Sequence, residues 1–496
     1  MDKDLLSIQE VRDKMKLAKR AQETFSAYSQ EQVDGLLEQV VERCAQNAEK
    51  LAKMAEEETG FGRWQDKVVK NRLASTILWK SICSMKTIGV LREDTAQKVT
   101  EIAVPVGVVA ALIPSTNPTS TTIYKSIISL KAGNAVMISP HPNAKKCIME
   151  TVDLLRTVLR ENGAPEDLVQ VISVPTIQAT NTLMSHPDTG LILATGGTAM
   201  VKAAYSSGTP ALGVGPGNGP SFIEHSADIP QAVERIIISK TFDNGTICAS
   251  EQSIVTEECI RTQVLDELQK QGACILNEEQ SEKLSRFIMR ANNTMNPAIV
   301  GKSAMKIAEI AGIHVPEGTK VLVSPQTEVS FKNPYSREKL CPILAFYTAP
   351  GWESACDICM SILHVEGTGH TMTMHTQNEK LVREFALKKP VSRLLVNTSG
   401  SLGGVGATTG LAPALTLGCG AAGGSATSDN ITPLNLLNIR RVAYGLVEPA
   451  ELGVEKQSCT TRHPPVARSQ QGDGAVAISR SELERITREV LSSLIH

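Results

Sequence analysis

Apolar side chains recur at helical spacing through the first sixty residues of the chain. The clearest run places an apolar residue at every third or fourth position: Val33, Leu36, Leu37, Val40 and Val41. This period predicts two or three amphipathic helices before residue 60. Between residues 87 and 105 apolar and polar positions alternate instead, which predicts a β-hairpin that leads into Pro105.

From residue 106 to 230, short apolar runs alternate with stretches of helical period. The predicted strands are 106–113, 135–138, 168–173, 191–194 and 221–223. The predicted helices are 120–131, 143–162, 177–184 and 199–206. Such an alternation is typical of a parallel sheet covered on both faces. A second alternation starts at 229, with helices over 231–240 and 260–271, so the predicted fold class is α/β with a doubly wound, Rossmann-type sheet and a second α/β domain.

The C-terminal segment has a different pattern. Residues 456–479 are polar and interrupted by Pro and Gly, which is typical of a linker. Residues 481–495 then have helical period, and Ser481 and Glu484 have capping-box spacing. Six residues form the apolar face: Leu483, Ile486, Val490, Leu491, Leu494 and Ile495. Such a helix either folds back onto the body, stays disordered, or docks into a groove of a partner.

Composition excludes several classes of protein. The 496 residues are 42% hydrophobic, enough for two to four domains, and Lys+Arg 50 nearly balances Asp+Glu 52. That balance, with 3% aromatic residues, argues against a nucleic-acid binder. No apolar run reaches the ~20 residues of a membrane helix, and the charged N-terminus has no signal-peptide pattern.

The cysteines indicate a reducing compartment. The odd count of 11 Cys, without a secretion signal, predicts reduced thiols in the cytoplasm. Cys356 and Cys359 come closest to a zinc-binding pair, but no second pair accompanies them. No metal site is therefore predicted.

The segment from Phe242 to Gln252 contains a candidate nucleophile, Cys248. Gly245 allows a tight bend before the thiol, and the small residues Ala249 and Ser250 after it leave backbone N–H groups accessible. A thiolate at such a turn, near a helix N-terminus, is a good nucleophile. A single cysteine among small residues is more often a buried apolar residue, so the segment alone favours that interpretation over a nucleophile.

Four short segments together resemble the aldehyde dehydrogenase superfamily, over roughly residues 5 to 445. They stand in the order of that family: Ile113–Pro118, Ala194–Thr198, Phe242–Cys248 and Glu338–Pro342. The resemblance implies the fold of that family, with a Rossmann-type cofactor domain, an α/β catalytic domain and a β-hairpin arm for oligomerisation. The cofactor domain is expected over 1–86 and 106–228, and the catalytic domain over 229–424. The oligomerisation arm is expected over 87–105 and 425–450. The linker 451–480 and the helix 481–496 follow.

The resemblance also implies catalytic roles. Cys248 is the expected nucleophile, which attacks the aldehyde and later carries a thioester. The Asn117 side chain and the Cys248 backbone N–H are the expected oxyanion donors. Asn117 is otherwise an ordinary turn residue. His370, in a segment similar to one of the CoA-acylating branch, either orients or deprotonates a group, or makes structural hydrogen bonds in a loop.

The expected cofactor is NAD, with NADP as the alternative. Gly196, Gly197 and Thr198 open a helix after a strand, where N–H groups can bind a pyrophosphate. By resemblance, Glu338 holds the nicotinamide-ribose hydroxyls; otherwise it is a solvated glutamate. The full set of expected cofactor-binding residues is Pro114, Ser115, Thr116, Ser139, Pro140, His141, Gly196, Gly197, Thr198, Gly215, Glu338 and Leu340.

Two departures from the hydrolytic members point to the CoA-acylating branch, which forms acyl-CoA from an aldehyde, NAD and coenzyme A. Val214 stands where those members carry the water-activating glutamate, and a valine cannot abstract a proton. The stretch 139–141 also lacks the lysine that binds the adenine ribose in hydrolytic members, so CoA can share this site. The expected substrate is a short aldehyde, propionaldehyde or acetaldehyde.

The C-terminal helix behind its linker resembles the encapsulation peptides of bacterial microcompartment enzymes. This predicts shell proteins as partners and the lumen of a cytoplasmic microcompartment as the location. The family resemblance further implies a homodimer or a dimer of dimers, without nucleic-acid or membrane partners. Two alternatives stay open: a hydrolytic or semialdehyde-specific dehydrogenase, and a non-catalytic scaffold that uses the C-terminal helix for assembly.

Overall fold

The computed structural model describes residues 2–454, together with Ser481 and Arg485. The predicted linker and encapsulation helix therefore lie outside the described residues, except for 451–454 and those two positions. The chain divides into two units, Met1–Ala443 and Tyr444–His496. All the strands and α-helices named below belong to the first unit. The second unit contains a short 3₁₀ turn, Pro449–Leu452.

The described residues form fifteen strands and sixteen α-helices. The strands are β1 (Val90–Asp94), β2 (Val99–Pro105), β3 (Val108–Ile113), β4 (Ala135–Pro140), β5 (Val169–Val171), β6 (Thr189–Thr195), β7 (Ala211–Val214), β8 (Gly219–Ile223), β9 (Glu251–Glu257), β10 (Ala273–Ile275), β11 (Val321–Pro325), β12 (Ile343–Ala349), β13 (Gly369–His375), β14 (Val391–Val396) and β15 (Leu437–Ala443).

The helices account for the long periodic stretches of the sequence. They are α1 (Lys3–Phe25), α2 (Gln30–Gln46), α3 (Ala48–Thr59), α4 (Trp64–Arg72), α5 (Leu78–Ile82), α6 (Pro118–Lys131), α7 (Lys145–Glu161), α8 (Ile177–Met184), α9 (Thr198–Tyr205), α10 (Ile229–Thr241), α11 (Arg261–Lys270), α12 (Glu278–Ile288), α13 (Ala304–Ala311), α14 (Trp352–Val365), α15 (Glu379–Lys388) and α16 (Gly400–Gly404). A π-helical turn, Leu73–Ile77, joins α4 to α5.

The first sheet has five parallel strands in the order β5-β4-β3-β6-β7. Strand order reverses beside β3, because β4 and β5 lie on one side of it and β6 and β7 on the other. This is the order of a doubly wound nucleotide-binding sheet, whose ligand crevice opens at the carboxyl ends of the two strands that flank the reversal. The loops that follow β3 and β6 are therefore placed on either side of one crevice.

The second sheet has seven parallel strands in the order β10-β11-β12-β9-β8-β13-β14. Each of its strands is bonded to its neighbour in parallel. The sequence pattern placed Ser221–Ile223 with the cofactor-binding half, but as part of β8 these residues pair with β9 and β13 in the second sheet. The change between sheets thus falls between Val214 and Gly219, before the expected boundary at residue 228.

A third sheet of three antiparallel strands has the order β1-β2-β15. The hairpin expected over 87–105 corresponds to β1 and β2, and β15 pairs with β2 along seven residues. Strand β15 forms one edge of this sheet, and Ile439 and Val442 on it are 44% and 39% exposed. That this hairpin joins two copies of the chain stays a prediction.

The core lies on both faces of the two parallel sheets. Helix α6 is buried along its entire length, between β3 and the helices around it. Tyr124 on α6 donates a hydrogen bond to the carbonyl of Ile431, and Lys125 donates to the carbonyls of Leu112 and Leu193. These bonds fix the floor of the crevice beside β3 and β6. Over the described residues, none of the helices has the length and apolar character needed to cross a bilayer.

Candidate active site

Cys248 lies on a tight loop between a 3₁₀ turn, Phe242–Gly245, and strand β9. Asp243, Asn244 and Gly245 have positive φ angles of 51°, 52° and 78°. Only glycine adopts this conformation freely, so three such residues in a row mark a strained loop that surrounding contacts hold in place. The loop runs into a strand and not into a helix, which corrects the expectation of a helix N-terminus behind the thiol.

A buried ion cluster holds this loop. Both oxygens of Asp243 are engaged, because Lys67, Lys70 and Thr246 donate to Oδ2 and the Arg63 backbone N–H donates to Oδ1. Lys67 and Lys70 are 2% and 1% exposed, and Asp243 is fully buried. The two ammonium groups keep the pKa of Asp243 below its usual value despite burial, while burial lowers the pKa of Lys70 to about 8.

The same cluster fixes Asn117, which follows β3 and precedes α6. Lys70 Nζ donates to Asn117 Oδ1 at 2.6 Å and to the Thr246 carbonyl at 3.1 Å. Asn117 Nδ2 in turn donates to the Thr246 carbonyl at 3.1 Å. One amide hydrogen of Asn117 thus holds the side chain beside the cysteine loop, and the second makes a longer bond, to Thr116 Oγ1 at 3.3 Å, which a stronger acceptor in the site can replace.

The thiol of Cys248 is protonated at neutral pH in this structure. Desolvation by the surrounding protein and the nearby carboxyl of Glu338 raise its pKa to about 12. The guanidinium of Arg393 acts in the opposite direction and favours the thiolate. As a whole residue, Cys248 is partly exposed in the unliganded structure.

Glu338 precedes β12 of the second sheet and lies near Cys248, whereas Asn117 follows β3 of the first sheet. Its Oε1 accepts a hydrogen bond from the Gly217 N–H at 2.9 Å, and its own N–H donates to Glu366 Oε2 at 3.0 Å. A Cβ at Gly217 would lie 1.9 Å from the Cys248 carbonyl oxygen, so only glycine fits there. Burial and the charge of Glu366 raise the pKa of Glu338 to about 8.

His370 is buried beneath this side of the site, at the start of β13. Its Nδ1 lies 2.9 Å from Thr371 Oγ1, and its Nε2 is buried without a hydrogen-bond partner among the described residues. Arg393 donates to the His370 carbonyl at 3.1 Å and to the Gly418 carbonyl at 2.6 Å. Burial and this guanidinium lower the pKa of His370 to about 3, so the ring is neutral at physiological pH.

The crevice between β3 and β6 fits a dinucleotide. Helix α9 starts at Thr198, and its N-cap, Gly197, offers no side-chain cap to the first N–H groups. A Cβ at Gly197 would meet nothing within 4 Å, so these N–H groups open onto free space at the carboxyl end of β6. Pro114, Ser115 and Thr116 form the partly exposed loop at the neighbouring end of β3.

The residues at the end of β4 flank the same crevice, because Pro140 pairs with Ile113 of β3. Ser139 is buried and its Oγ lies 2.9 Å from Thr180 Oγ1, whereas His141 is exposed and its Nδ1 accepts from Asn143 N. The carboxyl ends of β3, β4 and β6 are thus neighbours. The residues at the end of β4, Ser139, Pro140 and His141, include no lysine.

Val214, Gly215 and Leu340 are the remaining positions that the sequence singles out. Val214 ends β7 and is 2% exposed, with no polar atom in its side chain. Gly215 follows it and has open space where a side chain would point. Leu340 is the middle residue of the Lys339–Cys341 turn, and its N–H donates to Met295 Sδ at 3.3 Å.

A family model described as the aldehyde dehydrogenase family matches residues 5–336. The chain belongs to the aldehyde dehydrogenase family. Among curated relatives, the bifunctional aldehyde-alcohol dehydrogenase AdhE of Escherichia coli K12 is 43% identical over 86% of this chain and 48% of the relative. The chain thus spans about half the length of that relative. The acetylating succinate-semialdehyde dehydrogenase of Clostridium kluyveri is 38% identical over 88% of this chain and 96% of the relative.

Solved structures of aldehyde dehydrogenases share this fold. A probable aldehyde dehydrogenase from Listeria monocytogenes EGD-e is 59% identical, with a TM-score of 0.90 over 91% of this chain and 100% of that one. An acetylating aldehyde dehydrogenase from Geobacillus thermoglucosidasius is 49% identical, with a TM-score of 0.89 over 90% and 99%. A propionaldehyde dehydrogenase from a Clostridium phytofermentans microcompartment is 27% identical, with a TM-score of 0.79 over 88% and 97%.

The structure brings Cys248, Asn117 and Glu338 together, and links His370 to them through Arg393. Sequence analysis missed the groups that hold them: Lys67, Lys70 and Arg393. The two lysines are three positions apart on α4, which places them on one helical face, but that spacing is equally typical of a solvated surface. Arg393 stands directly before two leucines in a short apolar strand. A charged residue in such a strand is the one feature of the sequence that could have indicated a functional role.

Proposed function

We propose that the protein is a CoA-acylating aldehyde dehydrogenase, which oxidises a short aliphatic aldehyde with NAD and CoA to acyl-CoA through a thioester on Cys248. The observation that carries the proposal is the buried Val214, which leaves no carboxylate where hydrolytic members hold their water-activating glutamate. The acetylating relatives support the same reaction class.

The first step joins Cys248 Sγ to the aldehyde carbon. The attacking form is the thiolate, which Arg393 stabilises, and the proton lost from the thiol ends on the aldehyde oxygen, so that the product is a thiohemiacetal. The Asn117 amide hydrogen that contacts Thr116 Oγ1 in the unliganded site and the Cys248 backbone N–H then donate to the developing oxyanion. Because Lys70 already orients the Asn117 amide, little reorganisation accompanies this charge.

NAD, when bound, accepts the hydride that turns the thiohemiacetal into a thioester. The first N–H groups of α9 would hold its pyrophosphate, and Glu338 would accept from a ribose hydroxyl. The end of β4 offers Ser139, Pro140 and His141 to the adenosine, without a lysine or arginine for a 2′-phosphate. This composition supports NAD over NADP.

The fate of the thioester decides between the branches of the family. Glu338, with its pKa near 8, is mostly protonated at pH 7 and is a poor base for water. Val214 offers no base either, so the thioester persists until the CoA thiol attacks it. The attack releases acyl-CoA and returns Cys248 to its starting form.

NADH formation measured with and without CoA tests this reaction. We expect sustained turnover with CoA and, without it, a burst of about one NADH per active site. Sustained release of free acid without CoA would identify a hydrolytic enzyme instead. Absence of any NADH with propionaldehyde, acetaldehyde or succinate semialdehyde would favour the non-catalytic scaffold.

We further propose a homo-oligomer that is housed in a bacterial microcompartment. The exposed edge strand β15, with Ile439 and Val442, supports pairing with a second copy of the chain. The amphipathic pattern of 481–495 behind a Pro/Gly-containing linker, and the microcompartment source of a related structure, support encapsulation by shell proteins. Sedimentation that gave a stable active monomer would contradict the first part.

A fluorescent protein fused to residues 476–496 tests the second part in cells that produce shells. The fusion should enter the shells, whereas the same fusion with Ile486→Glu should stay diffuse, because the substitution puts a charge at the centre of the apolar face. Arg488→Gln on the polar face is the matched control and should still enter. A wild-type fusion that stays outside would exclude an encapsulation role.

A further inference from the structure

A second cluster of titratable groups lies at the end of the catalytic sheet opposite to Cys248. Glu224 directly follows β8, and Glu257 is the last residue of β9. These strands are paired in parallel, with Ile223 opposite Thr256, so both carboxylates emerge at the same edge. Cys248 precedes β9, and seven residues at about 3.3 Å each put roughly 20 Å between the two clusters.

His225 brings an imidazole to these two carboxylates. Its Nδ1 lies 2.9 Å from Glu224 Oε1 and 2.8 Å from Glu257 Oε2. One ligand atom from each of the three residues lies within 4.8 Å of the other two. Three donor atoms this close can share one small cation.

The hydrogen bonding in the cluster is incomplete. Nδ1 of His225 has at most one hydrogen, and Glu257 Oε2 takes it in a well-aligned bond. Glu224 Oε1 is buried and has no hydrogen-bond partner among the described residues, although Glu224 is only 1% exposed. A buried carboxylate oxygen without a donor is costly unless another positive group reaches it.

The remaining contacts orient the carboxylates in the way that metal ligands are oriented. Glu224 Oε2 accepts from the Thr376 hydroxyl at 2.6 Å, from Ser226 N at 3.1 Å and from the Ser226 hydroxyl. Glu257 Oε2 also accepts from the His225 backbone N–H at 2.7 Å. Hydrogen-bonded carboxylates of this kind surround most protein metal sites.

The charge of the cluster is unbalanced as well. Glu224 and Glu257 are 1% and 5% exposed, and within the described part of the chain their ion pairs are with His225 alone. His225 itself is exposed on its outer side, which leaves room for water molecules to complete a coordination shell.

We propose that Glu224, His225 and Glu257 bind one divalent transition-metal ion, with Zn²⁺ as the ion of highest affinity. An imidazole nitrogen and two carboxylate oxygens suit Zn²⁺, at about 2.0–2.2 Å each. The nitrogen ligand favours transition metals over Mg²⁺, which prefers oxygen ligands and retains its waters. The ion ties the ends of β8 and β9 together, so its effect is on stability and not on the chemistry at Cys248.

Calorimetric titration of the metal-free, full-length protein with Zn²⁺ tests the site. The Cys248→Ala/Cys259→Ala form is used throughout, because accessible thiols also bind zinc and Cys259 is exposed two residues after Glu257. We expect one equivalent to bind and the melting temperature to rise, with Mg²⁺ producing neither effect. His225→Ala should weaken binding at least about tenfold, and since His225 is exposed this variant keeps the fold.

Two controls separate the cluster from its surroundings. His314→Ala and Glu258→Gln change an exposed histidine and the exposed glutamate next to Glu257, and both should bind Zn²⁺ as the parent does. Equal affinity of His225→Ala and its parent, or the absence of stoichiometric binding, would overturn the proposal. A sulfur-to-metal charge-transfer band with Co²⁺ would also overturn it, because it would assign the ion to a cysteine.

Discussion

The two sides of Cys248 are built differently. On the side of the first sheet, which we call the oxyanion side, Lys67, Lys70, Asp243 and Asn117 all have hydrogen-bond partners in the unliganded site. The other side, which we call the acceptor side, contains Glu338, His370 and Arg393. There His370 Nε2 is buried without a partner in the described residues, and the pKa of Glu338 is raised to about 8.

The hydrogen bonds of the oxyanion side are therefore formed before a ligand binds, whereas those of the acceptor side are completed by the ligands. A fully bonded oxyanion side fixes the donor before charge develops, which is the condition for strong electrostatic stabilisation. The acceptor side has unused hydrogen-bonding capacity, which a cofactor ribose or the acyl acceptor can use. We therefore expect substitutions on the oxyanion side to lower kcat strongly and substitutions on the acceptor side to lower it less.

The largest effect should come from the residue between the two sides. Cys248→Ala should abolish NADH formation, because no thioester can form, while the melting temperature changes little. Cys259→Ala, at an exposed cysteine, is the matched control and should keep full activity. Steady-state assays and thermal melts on both variants measure this. Near-wild-type turnover of Cys248→Ala would remove the cysteine from the mechanism.

On the oxyanion side, Asn117→Ala should lower kcat by about 10²–10³-fold, the usual effect of removing one oxyanion donor. KM for the aldehyde should change far less, because the lost bond forms mainly in the transition state. Asn162→Ala, at an exposed asparagine beyond α7, serves as control. A loss below about threefold would show that the backbone N–H of Cys248 suffices.

Asn117 and Cys248 could be predicted from the sequence because short motifs carry them. Lys67 and Lys70 could not, since a lysine on a helix is usually solvated and only the fold reveals a buried carboxylate beside it. Asp243 was visible in the cysteine segment, but its partners come from a helix more than 170 residues earlier in the chain. Local sequence patterns do not reveal ion pairs between residues so far apart in the chain.

The fold shows the same limit. The apolar runs of β3, β4 and β6 and the period of α8 were predicted within a few residues. Strand β7 was not predicted, because its four residues include Gly213 and follow Pro210. The strand at Ser221–Ile223 was recognised, but its sheet was not, since pairing with β13 joins residues about 150 positions apart.

Lys70→Met tests whether the buried ion cluster acts through Asn117. It should lower kcat about tenfold and destabilise the protein by about 3 kcal/mol, because Asp243 keeps only one of its two cations. Lys131→Met is the control: Lys131 is also fully buried and pairs with Asp34 on α2. It should destabilise the protein while kcat stays within twofold. Equal kcat losses in both variants would make the Lys70 effect purely structural.

The smallest effect concerns acid stability, and it arises on the acceptor side. Burial lowers the pKa of His370 to about 3, below the ordinary value of 6.5. Between these values the unfolded chain binds more protons than the folded one, so stability should fall as pH drops from 6.5 towards 3. His370 contributes at most about 1.4 kcal/mol per pH unit.

His370→Gln should therefore flatten the decrease of melting temperature between pH 6 and pH 4, whereas the exposed His314→Gln should leave it unchanged. The kcat of His370→Gln should fall only a few-fold near pH 7, because a ring with a pKa of about 3 is a weak base there and its buried Nε2, without a partner among the described residues, can contribute only a hydrogen bond. A kcat profile that loses an ionisation near pH 6.5 in this variant would instead make His370 a titrating base. In that case the acceptor side would take part in the chemistry as directly as the oxyanion side does, and the contrast between them would fail.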